Sequence, residues 1–263
     1  MLGIPTRRMA ETLPLSLVVI TRDAARELPG CLASAPFAAE AIVVDSGSRD
    51  DTVETARRCG ARVVSHPWQG FGPQKAFAVT QATHDWVLCL DADERVTPEL
   101  AAAIQRAFDA GPPSAPAFEI ARRNRFLGRW LAHGEGYPDW IVRLFDRRHA
   151  RWTDDPVHES VVADAPVTRI GGDLLHESAE SLNDYIAKQN RYTTLQAEVM
   201  HARGERATFA HLALAPAARF FRLYVLKLGF LDGAAGFAHI AISAFASFLK
   251  YAKLRALAAA DRR

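Results

Sequence analysis

Two acidic motifs stand where short apolar runs end. Asp91-Ala92-Asp93 follows Val87-Leu88-Cys89-Leu90 without a gap, and Asp45-Ser46-Gly47-Ser48-Arg49-Asp50 follows Ile42-Val43-Val44. Carboxylates that emerge together beside an open position are the hard oxygen ligands that Mg²⁺ or Mn²⁺ takes when it also holds a diphosphate. A bare D-x-D is a common string and also reads as a solvated turn at a strand end; the second acidic motif beside it is what gives it specificity. Asp45 suits the acceptance of hydrogen bonds from a base or ribose, whereas Asp50, ahead of Asp51-Thr52, suits a helix cap.

These motifs need a frame that holds them on one edge. Between residues 15 and 93 four aliphatic runs, 17–20, 42–44, 62–64 and 86–90, alternate with helix-like segments. Continuous apolar strands separated by amphipathic helices predict a parallel sheet covered on both faces, the doubly wound α/β pattern. In such a sheet the ligand lies beyond the carboxyl ends of the strands. Thr21-Arg22, Asp45, Ser65-His66 and Asp91 to Glu94 would share that edge, and a nucleotide-like ligand is expected there.

Beyond Gly111-Pro112-Pro113 the pattern changes to isolated strand-like pieces at 117–122, 141–145 and 167–170, which fits a mixed or antiparallel acceptor-side region. From 181 onward the reading is almost wholly helical, with interruptions at Pro216 and at 228–233. The expected division is a catalytic domain over 1–180 and a helical extension over 181–263.

Composition narrows the function classes. The 263 residues are 49% hydrophobic and 24% charged, which supports a packed core and argues against wholesale disorder. The net charge of +2 is too small for a dedicated nucleic-acid binder, so no nucleic-acid partner is expected. Cys31, Cys59 and Cys89 are widely spaced with no CxxC pair, which argues against a disulfide framework and points to a reducing cytosol. The apolar run after Arg7-Arg8 is too short for a signal peptide. No unbroken run of about eighteen apolar residues occurs, so a spanning helix is not expected.

Taken together, 17–21, 43–52 and 90–94 resemble the nucleotide-sugar half of family 2 glycosyltransferases with the GT-A fold. The later run from Asn124 through His133-Gly134 and Tyr137-Pro138-Asp139-Trp140 to Arg143-Leu144-Phe145, followed by Val157-His158-Glu159, resembles the branch containing lipopolysaccharide core glucosyltransferases. The resemblance covers roughly residues 14–255. It implies an α/β, GT-A fold, a Rossmann-like nucleotide-sugar-binding sheet with a mixed acceptor region, plus C-terminal helices. It further implies that Thr21 and Asp45 contact uridine, that Asp91 lies near the ribose and that Asp93 ligates a Mg²⁺ or Mn²⁺ ion bridging the diphosphate. Lys75, after Gln74, falls where the family often supplies a side chain to the nucleotide. Asp51 stands where the family more often has Gly, and the family's usual Glu-Asp base motif is not obvious.

Inverting transfer needs a carboxylate to take the acceptor's hydroxyl proton. Asp139 is the first choice and Glu159 the second, with Glu135 a weaker third; Asp139 also reads as a turn former after Pro138. His158 is a further metal ligand or, equally, a histidine bonded to backbone in a closing loop. Of the arginines between 122 and 151, Arg143 is the best placed to pair with phosphate, since it lies inside a strand-like run. His176-Glu177 reads as structural or acceptor-side.

In the C-terminal third, Phe237, Ile240, Ala244, Phe248 and Tyr251 share one helical face, while His239, Ser243, Ser247 and Lys250 form a narrow polar stripe. With Lys250, Lys253, Arg255, Arg262 and Arg263 near the end, this suits a hairpin in a membrane interface drawn to anionic lipid, or else two helices packed on the catalytic domain or in a dimer interface. The expected protein is thus an inverting, metal-dependent transferase. It moves a sugar, glucose first, from a nucleotide-diphosphate donor such as UDP-glucose to a lipopolysaccharide inner-core acceptor, at the cytosolic face of the membrane. Transfer to another glycolipid or a polyprenyl-linked acceptor, and an inactive nucleotide-sugar-binding assembly partner, are the alternatives.

Overall fold

A computed structural model describes residues 12–153, 159–177 and 181–261. The chain divides into two compact units, Met1–Ala121 with Trp140–Leu175 and Arg122–Asp139 with His176–Arg263. The first is built on β1 (Leu13–Thr21), α1 (Leu28–Ala33), β2 (Ala38–Asp45), α2 (Thr52–Arg58), β3 (Arg62–Ser65), α3 (Phe71–Thr80) and β4 (Trp86–Asp91). Along the chain then follow β5 (Glu94–Val96), α4 (Pro98–Ala107), β6 (Ala117–Phe126), β7 (Arg129–Trp130), β8 (Asp139–Asp146), β9 (Ala150–Trp152), β10 (Val161–Ala163) and β11 (Thr168–His176), of which β7 and the end of β6 belong to the second unit. The main sheet runs β3-β2-β1-β4-β8-β6-β11-β5, with β7 paired to β6, while β9 and β10 form a separate ribbon.

Successive residues of a strand point to opposite faces, and here both faces are dry. Leu17, Val19, Val43, Leu88 and Leu90 enter one buried cluster, whereas Val18, Ile42, Val44, Val87 and Cys89 enter the other. That is why these runs are continuously apolar instead of alternating. β1 is parallel to both β2 and β4, with Thr21 opposite Asp45 and Ile20 opposite Asp91. β8 is antiparallel to β4, pairing Leu144 with Leu88, so the start of β8 runs beside the carboxyl end of β4. The sheet is therefore mixed from β8 onward.

Local chemistry fixes the helix that follows β5. Thr97 caps α4 by accepting a bond from Leu100 N at 3.2 Å, and its hydroxyl donates to Asp173 O at 2.9 Å. Gly172 makes this approach feasible: at φ +92 a Cβ there would lie 2.3 Å from Leu100 N. Two cysteines are sealed in this unit and the third is open, for Cys31 and Cys89 are buried and Cys59 is exposed.

The second unit contains α5 (Leu182–Ala202), α6 (Phe209–Phe221), a π-helical turn Arg222–Leu226, a 3₁₀ turn Gly229–Asp232 and α7 (Gly233–Ala260). Ser181 and Asp184 form a reciprocal capping box at the start of α5. Pro216 lies inside α6, where it removes one backbone donor without ending the helix. The expected break at 228–233 is real: Leu228 adopts a left-handed conformation at φ +56. Asp232, 2% exposed, accepts from the backbone N–H groups of Ala132 at 3.0 Å and His133 at 2.8 Å. Residues 129–136 are thereby clamped to the turn before α7.

Lys253, grouped by sequence with a basic membrane-facing end, is turned onto α5. Its Nζ lies 2.7 Å from both oxygens of Asn190 and 2.8 Å from the hydroxyls of Thr193 and Thr194. Large apolar side chains stay open to solvent on α6 and α7, among them Phe209, Leu214, Phe221, Phe237 and Phe245. The segments Phe209–Leu226 and Gly229–Ala260 are each long and apolar enough to cross a membrane. A search for unbroken apolar runs misses them, because isolated polar residues interrupt each run yet are too few to lower its mean hydropathy.

Candidate functional site

The register of the parallel strands brings Thr21, Asp45 and Asp91 to one edge of the first unit. The two loops that leave this edge are stitched together. Asp23 N donates to Ser48 Oγ at 2.8 Å, Asp23 Oδ1 accepts from Arg49 N at 2.6 Å and Ala24 N donates to Thr52 Oγ1 at 2.7 Å. Asp50 accepts from Thr52 N at 3.0 Å, serving the first turn of α2. Asp45 is 3% exposed and accepts from Thr21 Oγ1 at 3.3 Å, from the backbone N–H groups of Gly47 at 2.9 Å and Ser48 at 3.0 Å, and from the Ser48 hydroxyl. A carboxylate has about four acceptor positions, so Asp45 is engaged in shaping this loop.

Two cations converge on Asp91. Lys75, reaching from the middle of α3, places Nζ 3.2 Å from Oδ1, and Arg143 of β8 places a terminal nitrogen 2.8 Å from Oδ2. Arg143 also grips Glu94 through two nitrogens, at 2.9 and 3.1 Å, and Glu94 is fully buried. Burial by itself would lower the Arg143 pKa, but the Glu94 and Asp91 carboxylates outweigh it and hold it above the ordinary guanidinium value. The ring of Trp152 faces both cations, 4.9 Å from Lys75 and 5.6 Å from Arg143. Gln74, also fully buried, bonds His66 through Nδ1 at 3.0 Å and its carbonyl at 3.3 Å, fixing the loop before α3.

Glu159 joins this cluster, its Oε1 standing 3.4 Å from Lys75. Asp93 is half-buried in the turn after β4. Beneath that turn the Cys31 thiol donates to the carbonyl of Asp91 at 3.5 Å. Burial first, and then the carboxylates of Glu94, Asp91 and Asp93, push its pKa well up. His158 lies outside the described residues. Among the described residues no three His, Cys, Asp or Glu side chains gather as a ready-made ion cage. Two strand-end carboxylates still fit Mg²⁺ or Mn²⁺, which bind through one or two carboxylates and complete their shell with water and phosphate oxygens.

Asp139 belongs to the second unit, where Arg122 holds its Oδ2 through two nitrogens at 2.9 and 2.6 Å. Glu135 is held in the same unit by Arg219 and the Ser243 hydroxyl. His176 meets Asn124 at 2.7 Å, and Glu177 meets Arg125. The structure thus brings Lys75, Asp91, Arg143 and Glu159 into one cluster, while Thr21 and Asp45 share a second on the same strand edge. Sequence reasoning missed Glu94 and Trp152 as members. The available signal was Arg143 itself, because a guanidinium inside an apolar strand requires a buried counter-charge.

The chain matches the model of the family described as "Glycosyl transferase family 2" over residues 16–167. It is 31% identical over 253 residues to the lipopolysaccharide core biosynthesis glycosyltransferase LpsC of Rhizobium meliloti, covering 94% of this chain and 93% of that protein. With an uncharacterized glycosyltransferase of Rickettsia typhi, RT0209, it shares 32% identity over 233 residues, 85% of this chain and 80% of that one. Among solved structures, the mannosyltransferase PcManGT from Pyrobaculum calidifontis in complex with GDP-Man and Mn²⁺ superposes with a TM-score of 0.51 at 16% identity, over 96% and 90% of the two chains. That likeness is one of fold.

Proposed function

The chain belongs to glycosyl transferase family 2 with the GT-A fold, and from that premise we propose that it is an inverting, metal-dependent transferase moving glucose from UDP-glucose to a lipopolysaccharide inner-core acceptor. One observation carries the donor side of this reading: the convergence of Lys75 and Arg143 on Asp91 at the carboxyl edge of the parallel strands. The relative named for lipopolysaccharide core biosynthesis supports the acceptor class. Glucose rests on the likeness of 124–159 to the glucosyltransferase branch.

In this reading the loop tied down by Thr21 and Asp45 receives the uridine, and Asp91 lies toward the ribose. Lys75 and Arg143, locked by Trp152, Glu94 and Asp91, give the strand end a fixed charge pattern that needs no rearrangement when a diphosphate arrives. Asp93, with Asp91 beside it and His158 as a third ligand, would hold Mg²⁺ or Mn²⁺, which when bound neutralises charge on the departing diphosphate. The acceptor's hydroxyl proton goes to a carboxylate. Asp139 and Glu159 are the two in question, and Glu159 gains support from sharing Lys75 with Asp91. The exposed apolar faces of α6 and α7 support a peripheral seat on the cytosolic membrane surface, where a glycolipid acceptor is met.

Hydrolysis of a panel of UDP- and GDP-sugars by the full-length protein, with and without Mn²⁺, tests the donor side. The expected result is slow, metal-dependent release of UDP from UDP-glucose above the other sugars. Equal release without metal, or a preference for GDP-sugars, would overturn it.

A further inference from the structure

Helix α7 has two dissimilar sides. Its polar stripe, His239, Ser243, Ser247 and Lys250, lines a cavity of about 730 Å³ together with α5 and residues of the 122–139 segment. At about 100° of turn per residue, the exposed Phe237, Phe245 and Phe248 fall on the opposite side. The exposed apolar surface continues over α6, through Phe209, Leu214 and Phe221, and over the turns, through Leu226, Phe230 and Leu231. α6 lies against α7 yet has no buried residue. A helix that is apolar nearly all round belongs in a core or in lipid, and with 6% of Phe209–Leu226 buried the described residues do not supply that cover.

The polar side is fastened along its length. Gly134 N donates to Lys227 O at 2.9 Å, Arg129 donates to Leu231 O at 3.1 Å, and Asp232 accepts from the N–H groups of Ala132 and His133. Farther along, Arg219 and Ser243 both hold Glu135, and Lys253 holds Asn190 of α5. A rise of about 1.5 Å per residue sets Asp232 and Lys253 roughly 30 Å apart, the thickness of a hydrocarbon core. If α7 crossed a bilayer, Arg129, Glu135 and Asn190 would be carried to membrane depth with it, where charged groups are costly. Length and composition alone permit a crossing; the bonds on the polar side oppose it.

Charge selects the occupant of the open side. Between Arg206 and Ala260 the one acidic residue is Asp232, which is buried, while the exposed charged side chains Arg206, Arg222, Lys227 and Arg255 are all basic. A second copy docked through the same patch would set these cations against their own equivalents. An anionic lipid surface meets them with opposite charge. We propose that α6, the turns at 222–232 and the phenylalanine side of α7 lie in the plane of the membrane, embedded in one leaflet of an anionic bilayer without crossing it. This deepens the membrane seat given above and rests on it.

The test is depth-resolved fluorescence quenching on the full-length protein. In a Cys59→Ser background, Phe209→Cys, Phe221→Cys, Phe230→Cys and Phe245→Cys each carry an environment-sensitive fluorophore, with Ser247→Cys on the cavity side of α7 as the control and circular dichroism as the check on fold. In vesicles of phosphatidylcholine and phosphatidylglycerol the four apolar positions should shift to the blue and share one depth of about 5–10 Å. Nitroxides near the headgroup should quench them more than nitroxides at the chain ends, and position 247 should not respond. Stronger quenching of position 245 by the chain-end nitroxides would mean a crossing helix and overturn the proposal. Absent quenching, equal quenching in phosphatidylcholine alone, or equal quenching at 245 and 247 would overturn it too, as would a dimer whose labels are already blue-shifted without lipid. A chain that seats in this way yet releases no UDP from UDP-glucose defeats the transferase reading and leaves the seat standing; one that releases UDP without quenching defeats the seat alone.

Discussion

Lys75 and Glu159, 84 residues apart in sequence, meet with Nζ 3.4 Å from Oε1, and the same ammonium is 3.2 Å from Asp91. One buried cation thus ties a carboxylate of the late sequence to the acidic motif that closes β4. A ligand at the carboxyl edge of β4 that displaced Lys75 would therefore be felt at Glu159 as well as at Asp91.

That relationship sets up a choice between base residues. Glu159→Gln should keep UDP-glucose binding and lose about 10²–10⁴-fold in transfer if Glu159 takes the proton, since the base is needed only in the transition state. Asp139→Asn should then stay within tenfold of the unaltered rate. A dead Asp139→Asn beside a near-normal Glu159→Gln moves the role to Asp139; steady-state kinetics with donor binding measured separately decides between them.

Asp93→Ala should abolish turnover at saturating UDP-glucose while leaving the thermal midpoint nearly unchanged, because a half-buried turn carboxylate adds little to the core. Titration of Mn²⁺ in the presence of UDP should show lost or greatly weakened uptake. Undiminished turnover in this variant would remove Asp93 from the metal assignment.

Arg143→Met should destabilise the chain by about 3–5 kcal/mol, since it strands the fully buried Glu94 carboxylate without its guanidinium. The exposed pair Arg169 and Glu119, 3.1 Å apart, is the control, and Arg169→Met should cost no more than about 1 kcal/mol. Adding Glu94→Gln to Arg143→Met should recover part of the loss. Urea unfolding of the three variants gives the comparison, and equal midpoints for Arg143→Met and Arg169→Met would contradict it.

Membrane seating should depend on charge outside the helix packing. Lys253 is committed to α5 and Lys250 lines the cavity, so the exposed Arg222, Lys227 and Arg255 are the residues to reverse. Each contributes about 1 kcal/mol near an anionic surface, screened over about 8 Å at physiological ionic strength. Flotation should show binding to anionic liposomes that falls with salt and with R222E/K227E/R255E, while UDP release persists. Equal binding to neutral vesicles would defeat this.

Most of the sheet is legible in the sequence because its strands are buried on both faces. The runs at 17–20, 42–44, 62–64 and 86–90 fall inside β1 to β4, and 117–122 and 141–145 fall inside β6 and β8. What sequence periodicity does not carry is contact at a distance. Residues 122–139 belong with the C-terminal helices through bonds such as His133 N to Asp232, 99 positions away, and no local pattern announces them. Glu94 is missed for the same reason, since its partner Arg143 lies 49 residues on. The attachment of Lys253 to α5 is likewise not legible, because its four acceptors belong to another helix. The polar stripe of α7 is visible in the sequence, but not the cavity it lines, which needs α5 and 122–139 beside it.

The uneven exposure of the three thiols gives the first unit a built-in gauge of its own integrity. Burial first, then neighbouring carboxylates, raises the Cys31 pKa, and burial pushes Cys89 to about 11, so at neutral pH both remain protonated and shielded from an alkylating reagent. Cys59 alone is exposed. A mass spectrum after brief alkylation should therefore show one adduct per intact molecule and three once the sheet opens. Because Cys31 lies directly under the turn of Asp91 and Asp93, the appearance of its adduct would report loosening at the carboxyl end of β4 itself, before any assay of turnover is run.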